Sequence, residues 1–346
     1  MYIKFMIKEN KDLYISYWLL LITFLVALMI IVGGLTRLTD SGLSITKWNL
    51  ISGIVPPLSL ADWEKSFSLY KKIPEYKLVN STMTLDEFKI IFWWEYFHRL
   101  LGRFIGILYA VPLFYFTFKK LIIKKSLFSL YLILLLICFQ GFIGWYMVKS
   151  GLTDKTDVSH YRLALHLFFA FIIFILLLWN YLKLRQKQNS INKKRLPTYL
   201  LAFFISCLLF QICIGAFVSG LDAGQIYQSW PLMNQNYFPD DSNYKDLLSI
   251  RAFEVPSLVQ FIHRNIAYFI IVLFTYILIL VFKNNDLNYL RKIVIYVFIT
   301  IFLQILLGIF TILSGTQLIY ASIHQIGSIL LITASVVLVY KNSKIN

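Results

Sequence analysis

Residues 91–118 read IFWWEYFHRLLGRFIGILYAVPLFYFTF. A helix needs ~20 predominantly apolar residues to cross the hydrocarbon of a bilayer, so this stretch is long enough to span one. Its Glu95, His98 and Arg99 gather toward one end. Runs of the same kind recur at about 15–36, 126–148, 161–182, 197–219, 259–282, 293–313 and 321–340. The chain therefore reads as an all-α integral membrane protein of eight transmembrane helices.

Composition agrees. The 346 residues are 59% hydrophobic and only 14% charged, a surface that a soluble domain could not cover with polar groups. A net charge of +16 is also found in nucleic-acid-binding proteins. However, the basic residues form short clusters between apolar runs, which is membrane topology rather than a phosphate-binding face. Cys138, Cys207 and Cys213 all lie within apolar runs and read as buried small hydrophobes, with no structural disulfide expected. The N-terminus mixes Lys4, Lys8 and Lys11 with Glu9 and Asp12 and has no arginine before the first span. It makes a poor organellar presequence and reads as the start of an uncleaved first helix.

The lysines and arginines also orient the spans. Lys119, Lys120, Lys124 and Lys125 follow the second, and Lys183, Arg185, Lys187, Lys193, Lys194 and Arg195 the fourth. Lys283, Arg291 and Lys292 follow the sixth, and Lys341 and Lys344 the eighth. The short loops on the other side, 149–160 and 314–320, hold only Lys149 and Lys155. The positive-inside rule then predicts both termini in the cytoplasm, with two long loops, about 37–90 and 220–258, facing outward.

The two halves, 1–190 and 191–346, repeat each other weakly. Phe97-His98-Arg99 near the start of the second span matches Ile262-His263-Arg264 in the sixth. His166 in the fourth span matches His324 in the eighth. A Gln-x-x-x-Gly element recurs at Gln140–Gly144, Gln211–Gly215 and Gln304–Gly308. Both long loops pass a tryptophan, Trp48 or Trp230, and reach prolines at Pro56, Pro57 and Pro239. Four spans per half predict parallel repeats, hence two pseudo-symmetric four-helix bundles side by side.

Four of the five histidines fall on even-numbered spans, at similar depth near the outer end. Two facing helices, each offering an imidazole at matching height, form a bis-histidine haem site. The repeat pairs His98 with His166 and His263 with His324. Zinc and copper sites draw more ligands from one compact cluster. His160 has no partner in the second half and reads as a surface histidine. Glu95 lies three residues before His98 and so shares its helix face; an intramembrane carboxylate is a functional candidate, the alternatives being an interfacial acid reaching headgroup water or a carboxylate paired with Arg99. The corresponding residue before His263 is Gln260, an asymmetry that gives the halves different tasks. Arg99 and Arg264 point away from the ligand direction. Each is free either to reach a haem propionate or to snorkel to the interface. Gly102, Gly106, Gly141, Gly144, Gly215 and Gly308 read as sites of close helix or macrocycle approach, with helix packing the default.

The Glu95-x-x-His98-Arg99 element, His166, the second His263-Arg264 and His324 on eight spans resemble the haem A synthase family over essentially the whole chain. The Glu-Tyr-Phe-His-Arg-Leu-Leu-Gly-Arg stretch at 95–103 is the most specific part, and the segment from Gly33 to Gly42 also matches. The resemblance implies oxidation of the C8 methyl of haem O to a formyl group, giving haem A for terminal oxidases. It also implies a resident haem b on His263 and His324 with Arg264 nearby. Haem O as substrate would then lie by His98 and His166, with Glu95 at the reacting edge. Implied partners are the haem O-producing enzyme, an electron donor or acceptor, the lipid bilayer and a possible second copy of the chain, but no nucleic acid. The implied location is a bacterial inner membrane. Some family members carry a cysteine pair in an outer loop, and this chain has none there. The residues alone also allow a dihaem electron carrier or a haem-delivery and assembly factor.

Overall fold

The computed structural model describes residues 2–48, 52–154, 156–185 and 194–343, with side chains described from residue 12 onward and those of Ser52 and Asp154 left out. Lys4, Lys8, Lys11, Lys155, Lys187, Lys193 and Lys344 of the charge argument, together with Glu9 and the 190/191 boundary, fall outside those limits. Ten α-helices are seen among the described residues. They are α1 (Tyr2–Leu38), α2 (Leu60–Tyr70), α3 (Pro74–Leu78), α4 (Leu85–Phe118) and α5 (Lys124–Asp154). After these come α6 (His160–Arg185), α7 (Thr198–Gly220), α8 (Pro256–Lys283), α9 (Arg291–Leu313) and α10 (Leu318–Ser343). Among the same residues there is no β-strand beyond one isolated bridge, Met233 with Asn236.

Eight of these helices are long and apolar enough to cross a membrane, and they match the eight expected spans. Aromatic and aliphatic side chains such as Phe24, Phe114, Leu135, Phe203, Val272, Tyr296 and Leu330 are exposed around them, as a lipid solvent permits. The chain is a multi-pass membrane protein.

The ends differ from the expectation for local reasons. Helix α4 begins six residues earlier than its apolar run. Thr84 accepts from the Glu87 N–H while the Glu87 carboxylate accepts from the Thr84 N–H, a capping box that satisfies two otherwise free donors. Helix α5 runs past the apolar stretch to Asp154, so Lys149 lies inside a helix rather than in a loop.

Along the chain, α1 packs against α4 and α6, α4 against α5, and α5 against α6. In the second half α7 packs on α8, α8 on α9 and α9 on α10, while α6 meets α7 and α10 meets α1. One contact shows how an apolar interior handles a broken helix. Pro112 inside α4 has no N–H to offer the Leu108 carbonyl four residues earlier. The Trp18 indole N–H of α1 donates to that carbonyl instead, at 2.9 Å, and its ring stacks on Tyr109 with centroids 5.0 Å apart. A second junction closes the far end. The Asn342 amide accepts from the Leu196 N–H at 2.9 Å and donates to the Leu196 carbonyl at 3.0 Å, both within the buried interior.

The first long loop is a folded cap. Helix α2 opens on a capping box formed by Ser59 and Asp62. Phe67, Tyr70, Ile73, Phe88, Phe92 and Tyr96 close into an apolar cluster over the end of α4. Within it the buried Glu75 accepts from the Tyr70 hydroxyl at 3.0 Å.

Candidate functional site

Each intramembrane histidine meets a glycine on the spanning helix that precedes it. A Cβ built at Gly33 of α1 would lie 3.0 Å from His98 Nε2. One at Gly144 of α5 would lie 3.1 Å from His166 Cε1. The distances are 3.2 Å from Gly215 of α7 to His263 Cε1 and 3.2 Å from Gly308 of α9 to His324 Cε1. The same device thus occurs four times: a glycine on an odd-numbered span lets the following even-numbered span bring its imidazole against bare backbone.

Three of the four glycines end the Gln-x-x-x-Gly element, and two of its glutamines hold the histidine backbone. Gln140 Nε2 donates to the His166 carbonyl at 2.9 Å, and Gln211 Nε2 donates to the His263 carbonyl at 3.0 Å. Gln304 instead lies against Gly327 of α10, where a Cβ would collide with its amide. Before Gly33 the corresponding position is Met29, whose methyl lies against Gly102.

The His263 and His324 rings face each other with centroids 6.5 Å apart and planes at 78°. A metal ~2 Å from one nitrogen of each imidazole places the centroids roughly 6 Å apart, so this spacing fits a bis-histidine haem. Buried polar atoms are normally paired, and the Nδ1 atoms of His166, His263 and His324 are buried with no protein partner. Among the described residues no group of three or more His, Cys, Asp or Glu could hold a metal ion on its own.

Glu95 is 2% exposed. One carboxylate oxygen accepts from the Ser44 hydroxyl and the Ile45 N–H, each at 2.7 Å. The other accepts from Arg99 at 2.5 Å, and Arg99 also donates to the Ile45 carbonyl at 3.0 Å. The corresponding residues of α8 do the same work without the acid. Gln260 Nε2 donates to the Tyr227 carbonyl at 2.9 Å, and Arg264 donates to the carbonyls of Tyr227 at 3.1 Å and Leu232 at 3.3 Å. In both halves the residue three before the histidine and the arginine after it pin a long loop onto the site. Neither arginine is a free snorkelling chain: Arg264 is 7% exposed, and Arg99 forms an ion pair.

Two expectations need correction. His160 opens α6, and its Cβ packs directly on Gly220 of α7, with its ring 5.1 Å from Phe217. It is part of a helix junction, not a surface residue, because Gly220 lets α7 come up against the first residue of α6. Gly106 and Gly141 would present a Cβ to open space, so close helix packing does not account for them. Sequence reasoning missed Gly33 as the neighbour of His98, along with Ser44 and Ile45 as partners of Glu95. The Gly33–Gly42 segment flagged the region, but only the packing of α1 on α4 reveals the contacts.

Fold and site together define an eight-span, all-α membrane protein with facing histidines near the end of the helices that carries the two long loops. A cytochrome oxidase assembly protein profile matches residues 16–336. The chain is 48% identical over 339 residues to the Heme A synthase of Pelagibacter ubique, covering 96% of this chain and 99% of that protein. It is 45% identical over 325 residues to the Heme A synthase of Rickettsia bellii, covering 92% and 95%. With the Heme A synthase of Flavobacterium johnsoniae the identity is 41% over 348 residues, covering 97% and 99%. The chain belongs to this family of haem A synthases.

Proposed function

We propose that this chain makes haem A by oxidising the C8 methyl group of haem O to a formyl group through successive hydroxylations, as an oxidoreductase acting on a C–H bond. The observation that carries the reading is the difference between two otherwise parallel sites. Glu95 stands three residues before His98, where Gln260 stands before His263; Glu95 accepts from the Ile45 N–H of one long loop, and Gln260 donates to the Tyr227 carbonyl of the other. The N-terminal half, 1–190, takes haem O between His98 and His166. The C-terminal half, 191–346, keeps a resident haem b on His263 and His324 beside Arg264. When bound, that haem supplies one-electron redox chemistry.

The chain's own part is positioning and charge. The Ser44 hydroxyl, the Ile45 N–H and Arg99 hold the Glu95 carboxylate in one orientation. A carboxylate fixed in advance in a water-poor site stabilises positive charge developing at the methyl, or accepts its proton, without reorganising at the moment of reaction. The two-bundle arrangement, cytoplasmic termini, a bacterial inner-membrane location, and contacts with the haem O-producing enzyme, an electron partner and a second copy belong to the same reading.

Expression with a haem O supply, followed by pigment extraction, tests it. Haem A should accumulate with the wild-type chain and fall by about 10²-fold with Glu95→Gln. His263→Ala should lose the resident haem b. Bound haem b without conversion in the wild type would favour an electron carrier or a delivery factor. Wild-type rates from Glu95→Gln would remove the carboxylate from the chemistry, and full haem b in His263→Ala would exchange the two halves.

A further inference from the structure

A cavity of about 210 Å³ opens at the loop end of the first half, lined by Ile45, Thr46, Trp48, Arg99, Trp145, Val148, Lys149 and Leu152. Sites that enclose whole drug-sized ligands run to ~300–1,000 Å³, so this cavity is too small for a tetrapyrrole. It is large enough for the polar arms at the edge of one. Its position fits that use. Arg99 directly follows His98, and Trp145 directly follows Gly144, the glycine that meets His166. The cavity therefore adjoins residues next to both histidine contacts of this half.

Its charge is specific. Arg99 lies over the Trp48 ring at 4.8 Å, and the Lys149 ammonium lies over the Trp145 ring at 5.0 Å. The Arg99 Nε is buried without a partner. The arginine's charge, however, is already balanced by Glu95. An anion arriving here meets a neutral pair, and Lys149, which has no acidic partner among the described residues, supplies positive charge. In the second half Arg264 faces the neutral Gln260 and keeps its charge. There the residues one and five beyond Gly308 are Ile309 and Leu313, where the first half has Trp145 and Lys149 beyond Gly144. Among the described residues no acid pairs with Lys149 in the first half or with Arg264 in the second, and the two cations come from different positions.

We propose that this cavity seats the propionate carboxylates of the porphyrin taken up between His98 and His166, with Lys149 as the cation that recognises them. The inference rests on the reading of that histidine pair as the substrate site. A propionate is an anionic arm on an apolar body, which matches a cavity with one free ammonium, a guanidinium edge and tryptophan walls. Lys149 orients the substrate and takes no part in the bond changes at the methyl group.

The test uses the purified full chain with its resident haem in place. Iron protoporphyrin IX and its dimethyl ester are titrated as a second equivalent, and binding is followed by absorbance in wild type, Lys149→Gln and Lys149→Arg. The free diacid should bind wild type more tightly than the ester. Lys149→Gln should weaken the diacid by about fivefold to tenfold and leave the ester unchanged, while Lys149→Arg should retain the preference. Equal binding of diacid and ester by wild type, or an undiminished preference in Lys149→Gln, would overturn the assignment of Lys149 but leave the histidine site standing. Absence of any second equivalent would overturn both. Displacement of the diacid by phosphatidylglycerol but not by phosphatidylcholine, with no discrimination against the ester, would assign the cavity to a lipid headgroup.

Discussion

Replacing Gly215 with alanine would put a Cβ 3.2 Å from His263 Cε1, inside ordinary van der Waals contact. The imidazole would have to shift by a few tenths of an ångström, because the glycine sits on a packed helix. Metal sites respond to such changes in ligand orientation. The expected result for Gly215→Ala is a displaced absorption band and weaker retention of the haem proposed for His263 and His324, with the His98 site undisturbed. An unaltered spectrum in the purified variant would mean that the ring has slack. At this scale the four histidines and Glu95 were legible in the sequence because polar groups are conspicuous in apolar runs. The glycines were visible as letters but not as neighbours, since their meaning depends on which helices touch. Lys149 was read as a loop charge; only the extra length of α5 turns it into part of a site.

The spanning helices were legible for the same reason that they form: no other ordered backbone satisfies itself in lipid as simply. The cap built by α2 and α3 was not, because residues 37–90 alternate short apolar and polar runs without a long period. Its core holds Glu75, whose carboxyl is pushed up to about 8 mainly by burial. The Tyr70 hydrogen bond lowers it, while the charges of Glu95, Asp157 and Asp40 add to the rise. An unfolded glutamate titrates near ~4.3. Between those values the folded cap keeps a proton that the unfolded chain has lost. The proton therefore favours folding fully at low pH, and this contribution drains away as pH climbs to about 8. Thermal midpoints measured from pH 6 to 9 should fall more steeply for wild type than for Glu75→Gln. Parallel curves would show that Glu75 does not titrate with unfolding.

Across the whole molecule, α1 serves both halves. Gly33 meets His98, while Gly34 leaves room for the Gln325 amide, which follows His324 and donates to the Ile30 carbonyl at 2.6 Å. At the end of the same helix Arg37 pairs with Asp40 and Asp222 and donates to the Ser219 carbonyl at 2.8 Å. Both aspartates are exposed, and exposed ion pairs contribute little. The partly buried carbonyl matters more. Arg37→Ala should destabilise the protein by about 1–3 kcal/mol, and Asp222→Ala by well under half of that, read from thermal unfolding in detergent. Equal losses would shift the weight to the ion pair. The sequence marked Gly33–Gly42 as a family segment, but it gave no sign that this one stretch touches both sites.

The Asn342 amide gives the fold an order in time. Leu196, 146 residues earlier in the chain, leaves the ribosome long before the residue that pairs with its backbone. Chains are completed from the N-terminus, so the start of α7 waits with an unmatched N–H and carbonyl until α10 arrives. That junction therefore closes only once α10 is made, and a chain halted before Asn342 would carry all four histidines without the latch between α10 and the segment before α7.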